Sequence, residues 1–213
     1  MPLIKADFTD ADAMATAHAA HHNALAESIN VGYAPPQLYA ANRWFDQRVT
    51  SVATTTSALG ADYITFVPTY IYRPTTITAL GFHISTTGQT GATARLGIYT
   101  INPETLTPET LLVDAGTATT TTTGLKTLVI SQGVERGWYW FAVATNTSTG
   151  AGTFMSASTG TAILSGGTTY SQPLTYLRLA STDGVLMTNP PNATSSYING
   201  YASQIHPLIF FRT

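Results

Sequence analysis

The hydrophobic pattern of the chain changes period once. Near the start, Phe8, Ala15, His22 and Ile29 recur every seven residues, with Ala11, His18 and Leu25 falling between them. That spacing is an a/d heptad seam sustained for about three heptads. Thr9 precedes Asp12 by three positions, a variant of the capping box, with Phe8 placed as the hydrophobic staple. Asp10 and Asp12 fall in the first turn, where the helix dipole favours negative charge, and Asn30-Val31-Gly32 supplies a stop. The pattern predicts a helix over 10–29. An Ala-rich helix of about 20 residues without a ladder of ion pairs is marginal in water by itself. A seam this narrow suits packing against copies of itself, the other option being a lone helix lying on the chain's own body.

From about residue 63 the period shortens. Runs rich in Val, Ile, Thr, Tyr and Phe alternate with Gly, Pro and Asn punctuation. Strands are expected at 63–67, 77–85, 94–100, 110–115, 126–131, 138–144, 153–157, 162–165, 174–179 and 205–211. With no helical period between them, the fold class is mainly β, an antiparallel β-sandwich of jelly-roll-like type. Residues 125–130 and 138–143 are apolar on both parities, so both strands are expected at the centre of a sheet. The threonine tract 119–123 reads as a solvated connector. Between helix and strands, 31–62 reads as a linking segment, broken by Pro35-Pro36, aromatic at Tyr39, Trp44 and Phe45, and turn-like at 50–60. The expected organisation is therefore 1–30 helical, 31–62 connector and 63–213 β-sandwich.

Composition narrows the function. Of 213 residues only 9% are charged, against about a quarter in ordinary soluble domains, and the net charge is -2. The polar remainder is mostly neutral, with 39 threonines. An apolar share of 44% argues against disorder, and nine scattered Lys and Arg leave no footprint for nucleic acid or anionic lipid. No apolar stretch reaches the length of a membrane span, and Met1 to Asp7 does not resemble a signal peptide. With no Cys there is no disulfide scaffold, thiolate metal site or Cys nucleophile.

The groups that carry chemistry are sparse. Carboxylates after the helix stand apart at Asp46, Asp62, Glu104, Glu109, Asp114, Glu135 and Asp183, with no metal-ligand spacing among them. His83 lies within an expected strand and His206 precedes Pro207, so each reads as structural. No nucleophile elbow or phosphate loop is present. The expectation is a protein that is not an enzyme, with no catalytic residue and no cofactor. His18, His21 and His22 cluster on one side of the helix. The two in the seam either set register as polar seam residues or, in a three-fold bundle, ring an anion, a water or a metal. Recognition is better supplied, because Trp138, Tyr139, Trp140 and Phe141 are consecutive, and Tyr70, Tyr72 and Tyr99 add to them. Tyr99, Trp138, Tyr139 and Trp140 are candidate ligand contacts, weighed against ordinary core packing.

Two stretches carry a resemblance. Phe8-Thr9-Asp10-Ala11-Asp12 with Asn23-Ala24-Leu25-Ala26-Glu27-Ser28-Ile29-Asn30 resembles the attachment ends of tailed-bacteriophage fibre proteins. Ile77 to Phe82, Ala94 to Tyr99 and Gly137 to Val143 resemble phage virion β-sandwich modules. The likeness covers residues 8–30 and 63–144. It implies a virion surface protein, homotrimeric, docked on other virion proteins through its N-terminal segment. The sandwich would face outward toward a host-surface glycan or protein. Such a protein is made in the host cytoplasm and released on lysis. A tail or baseplate fibre is the first expectation, a capsid decoration protein or head fibre the second. The third, a carbohydrate-binding module of a secreted enzyme, lacks a signal and a catalytic partner.

Overall fold

The computed structural model describes residues 41–46, 54–59, 63–147, 150–158, 174–181, 184–191, 198–201 and 205–213. The chain divides into two units, Met1–Leu38 and Tyr39–Thr213, and every described residue belongs to the second. The helix expected over 10–29 therefore lies outside the described residues. So do its seam residues Phe8, Ala11, Ala15, His18, His22, Leu25 and Ile29, and the strand expected at 162–165.

Among the described residues there are thirteen strands and no helix. They run β1 (Trp44–Phe45), β2 (Thr54–Ala58), β3 (Tyr63–Ile71), β4 (Thr75–Thr86), β5 (Thr93–Ile101), β6 (Pro108–Thr119) and β7 (Gly124–Val134). The remainder are β8 (Gly137–Thr145), β9 (Thr153–Ser158), β10 (Leu174–Ala180), β11 (Ile198–Tyr201), β12 (Ile205–Pro207) and β13 (Phe210–Arg212). All pairings are antiparallel and form two sheets. The first follows the order β1-β13-β4-β9-β12, with β2 on β9 and β7 on β4; the second runs β11-β10-β3-β8-β5-β6. The chain is thus mainly β, built from two antiparallel sheets, as the short apolar runs require.

The second sheet is apolar on both faces at its centre. Register places Phe66 opposite Ala142 and Trp140 opposite Tyr99 on one face, and Val67 and Ile98 opposite Phe141 on the other. The Phe141 ring lies 5.6 Å from Phe211 of the first sheet, so this second face looks toward that sheet. The opposite face carries a core of its own, in which Ile64, Phe66, Tyr99, Trp140, Leu177 and Leu179 are buried together with Leu186. Leu186 comes from the segment 184–191, which crosses this face. Gly97 makes room for it, since a Cβ there would stand 2.6 Å from Leu186 Cδ1 and 3.0 Å from the Val113 carbonyl oxygen. Tyr99 Oη donates to the Met187 carbonyl at 2.9 Å, and Leu111 N–H to the Thr188 carbonyl at 2.9 Å. Without such a cover, the rings of this face would meet water.

On the first sheet, the Trp44 ring stands against Gly81 of β4. A Cβ at Gly81 would be 3.2 Å from the Trp44 ring and 2.8 Å from the Lys126 carbonyl oxygen, so the close approach requires glycine. Arg212 stands 5.6 Å from the Trp44 ring centre, a cation–π distance, and Phe45 stands 5.5 Å from Phe211.

Four expectations need correction. Within 50–60, read as turn-like, residues 54–58 form β2, paired with β9 and tied by Ser57 Oγ to Ser156 Oγ at 2.7 Å. β-Branched threonine fits an edge strand without any apolar alternation to announce it. The single strand expected at 205–211 is broken at Leu208-Ile209, because its first part pairs with β9 and its second with β4. Thr120, inside the tract read as solvated, is fully buried, and its backbone bonds Ala92 and Gly88 at 3.0 and 2.8 Å. Finally, of the two runs expected at sheet centres, 138–143 is central as part of β8, but 125–130 is not. It lies in β7, which among the described strands pairs with β4 alone, and Val129 is 76% exposed.

Candidate functional site

The register that buries Trp140 also decides the fate of its neighbours. Trp138 and Trp140 share a face of β8, while Tyr139 and Phe141 take the other. Trp140 and Tyr99 are fully buried, so neither ring presents a face to solvent. The Trp140 indole donates Nε1–H to the Leu106 carbonyl at 3.2 Å, and Phe66 meets both rings edge-on, at 6.5 Å from Trp140 and 5.1 Å from Tyr99. Leu106 is held at a φ of 58°, a left-handed conformation costly for a side chain of this kind. The Asn102 turn holds it there: the side-chain oxygen accepts the Glu104 and Thr105 N–H groups at 2.9 and 3.0 Å, and its carbonyl accepts Leu106 N–H at 2.8 Å.

One pair further along, the same row of rings reaches the surface. Trp138 is opposite Tyr70, their centres 5.0 Å apart at 60°, and Tyr72 meets Tyr70 edge-on at 5.1 Å. All three are half-buried. Arg136 donates from Nε to the Tyr70 hydroxyl at 3.1 Å, fixing that ring. Tyr139, on the opposite face, accepts the Glu135 N–H at its hydroxyl at 3.1 Å. Of the four candidate contacts, then, Tyr99 and Trp140 are core, Tyr139 is separated by the pleat, and Trp138 is joined by Tyr70 and Tyr72. Those two tyrosines carry no special spacing. Only the antiparallel register between β3 and β8, a long-range fact, brings them beside Trp138.

Titratable groups are dispersed. Among the described residues no three His, Cys, Asp or Glu come together in a way that could hold a metal. Asp114 forms a two-pronged ion pair with Arg95, Nε to Oδ1 at 2.9 Å and the second nitrogen to Oδ2, and accepts the Gly116 N–H at 2.9 Å. Partial burial pushes the Asp114 carboxyl up, but the bonds from Arg95 and Gly116 and the Arg95 charge outweigh it. The carboxyl therefore titrates below its usual range. Arg95 is raised in turn, chiefly by its hydrogen bond to Asp114. His83 Nδ1 is buried without a hydrogen-bond partner, and His206 is buried with its ring 6.3 Å from Tyr176. What this arrangement offers chemically is a small aromatic surface with Arg136 bonded to it. No protein-family model matches the chain, and no curated protein matches its sequence.

Proposed function

We propose that the chain is a virion surface protein of a tailed bacteriophage, a homotrimeric tail or baseplate fibre. Its opening helix, 10–29, joins three copies and docks on other virion proteins. The two sheets form a jelly-roll-like β-sandwich that faces outward and binds a host-surface glycan through Tyr70, Tyr72 and Trp138. The observation that carries the reading is the emergence of a buried aromatic row at the surface, on a chain of which only 9% of residues are charged. Rings of this kind give contact area at little entropic cost and stack on the apolar faces of sugars, and the scarcity of charge along the chain suits an uncharged glycan.

The test is binding of the full chain to a panel of neutral bacterial surface glycans and to whole cells. Trp138→Ala and Tyr70→Ala are expected to lower affinity at least tenfold, and Trp140→Phe to leave it unchanged. Equal binding by all three variants, or none by the parent protein, overturns the glycan site. Binding lost together with capsid strength in particles lacking the protein would favour a capsid decoration role instead.

A further inference from the structure

The aromatic surface carries a charged group that stacking by itself does not use. Arg136 lies in the short turn Glu135-Arg136 between β7 and β8 and is exposed. Its Nε donates to the Tyr70 hydroxyl at 3.1 Å, and the Tyr70 ring is 5.0 Å from Trp138 and 5.1 Å from Tyr72. The three rings and the guanidinium therefore meet at the end of β3 and the start of β8, where Tyr70 pairs with Trp138 and Ile71 with Gly137. A guanidinium is planar and carries five N–H groups in fixed directions. One of them is directed at Tyr70, and this sets the plane and with it the directions of the other four. A lysine could bring charge to the rim of the rings but not an oriented fork.

We infer that Arg136 is the polar reader of this surface: with Nε held by Tyr70, its guanidinium donates as a fork to two adjacent hydroxyl oxygens of a pyranose whose apolar face lies on the rings. The inference rests on reading the surface as a site for an uncharged glycan, and adds which sugars it takes. A pyranose presents C–H groups on its faces and hydroxyls around its rim. Stacking on the faces supplies contact area but distinguishes poorly between sugars that differ only at the rim. A hydrogen bond at the rim does distinguish them, because a hydroxyl that is missing or turned away leaves the protein's donor without its acceptor. Arginine has donors only, so it reads oxygens as acceptors, and a fork needs two of them on neighbouring carbons. The ligand class is therefore a glycan whose stacked residue presents a vicinal pair of unsubstituted hydroxyls; substitution at either position is refused. Because Tyr70 holds the guanidinium before the sugar arrives, less side-chain freedom is lost on binding. Tyr70 serves twice, as a stacking ring and as the positioning residue for Arg136.

The test uses the full chain and an array of α- and β-linked disaccharides of glucose, galactose and mannose, with analogues in which single hydroxyls are replaced by hydrogen. For the disaccharide that the parent binds most tightly, removing either of two adjacent hydroxyls is expected to cost about tenfold or more in affinity, and removing the others little. Arg136→Lys keeps the charge and loses the fork. It is expected to lower affinity about tenfold and to become indifferent to those same two hydroxyls. Tyr70→Phe keeps the ring and removes the acceptor that holds Nε; it is expected to lower affinity as well, and to add little when combined with Arg136→Lys. Urea midpoints close to the parent's show that the variants are folded. A parent that binds, is weakened by Trp138→Ala and is unchanged by Arg136→Lys overturns this inference and leaves the stacking site standing. A parent that binds neither this array nor the surface-glycan panel overturns both. A hexuronate bound tenfold more tightly than its parent hexose, with the gain lost in Arg136→Lys, means that the fork takes a carboxylate and overturns the hydroxyl pair.

Discussion

Replacing Trp140 by Phe separates a core ring from a binding ring. Trp140 is fully buried, and its Nε1–H satisfies the carbonyl of Leu106, a residue already held in a costly conformation. The substitution removes three ring atoms. Two are carbon groups, together about 1.6 kcal/mol at ~0.8 kcal/mol each. The third is the donor, whose loss leaves a half-buried carbonyl without that bond at about 1 kcal/mol. The expected cost is about 2.5 kcal/mol, read as a lower urea midpoint at unchanged slope. The chain has only three tryptophans, at 44, 138 and 140, and the other two are half-buried. Native emission should therefore shift to the red as the one fully buried indole is lost. A cost under about 0.5 kcal/mol with no spectral shift would refute the placement of Trp140 and, with it, the core on the outer face of the second sheet.

Leu186→Ala should cost about 2–4 kcal/mol. Combined with Gly97→Ala it should cost clearly less than the two single changes added, because the shortened side chain vacates the space that the new Cβ needs; strict additivity of urea midpoints would contradict the packing of 184–191. Asp114→Asn should lower stability at pH 7 by no more than about 1 kcal/mol, because the pair is partly exposed. The folded carboxyl titrates below its unfolded value, so its contribution is complete above pH ~4 and lost as pH falls through the folded value. The gap between variant and parent should narrow as pH falls through the folded value, and a gap that widens in acid would contradict the ion pair. Replacing His18 and His22 by Leu should raise the melting temperature, as polar seam positions usually cost stability; a fall reversed by added metal or anion would mean that an ion occupies the axis.

Local pattern made the mainly β class and eight of the strands, β3 to β10, legible, because side-chain period and turn residues are properties of adjacent positions. It did not reveal what adjacency cannot encode. β2 hides in threonines that also suit a turn, and its strand state is set by β9, about a hundred residues away. The break at Leu208-Ile209 arises because two different partners claim one apolar run. Of the aromatic surface, the sequence pointed to Trp138 but grouped it with Tyr99 and Trp140, since parity along β8 says which rings share a face and not which end of that face is covered. The cover is Leu186 and its neighbours, in a segment whose sequence reads only as a loop. β7 is the reverse case, a strand apolar on both parities that pairs, among the described strands, with β4 alone.

The central claim is that three copies assemble through the opening helix. The most direct measurement is the mass of the full chain by light scattering at micromolar concentration. A mass of three chains is the predicted result; a mass of one chain would contradict the account.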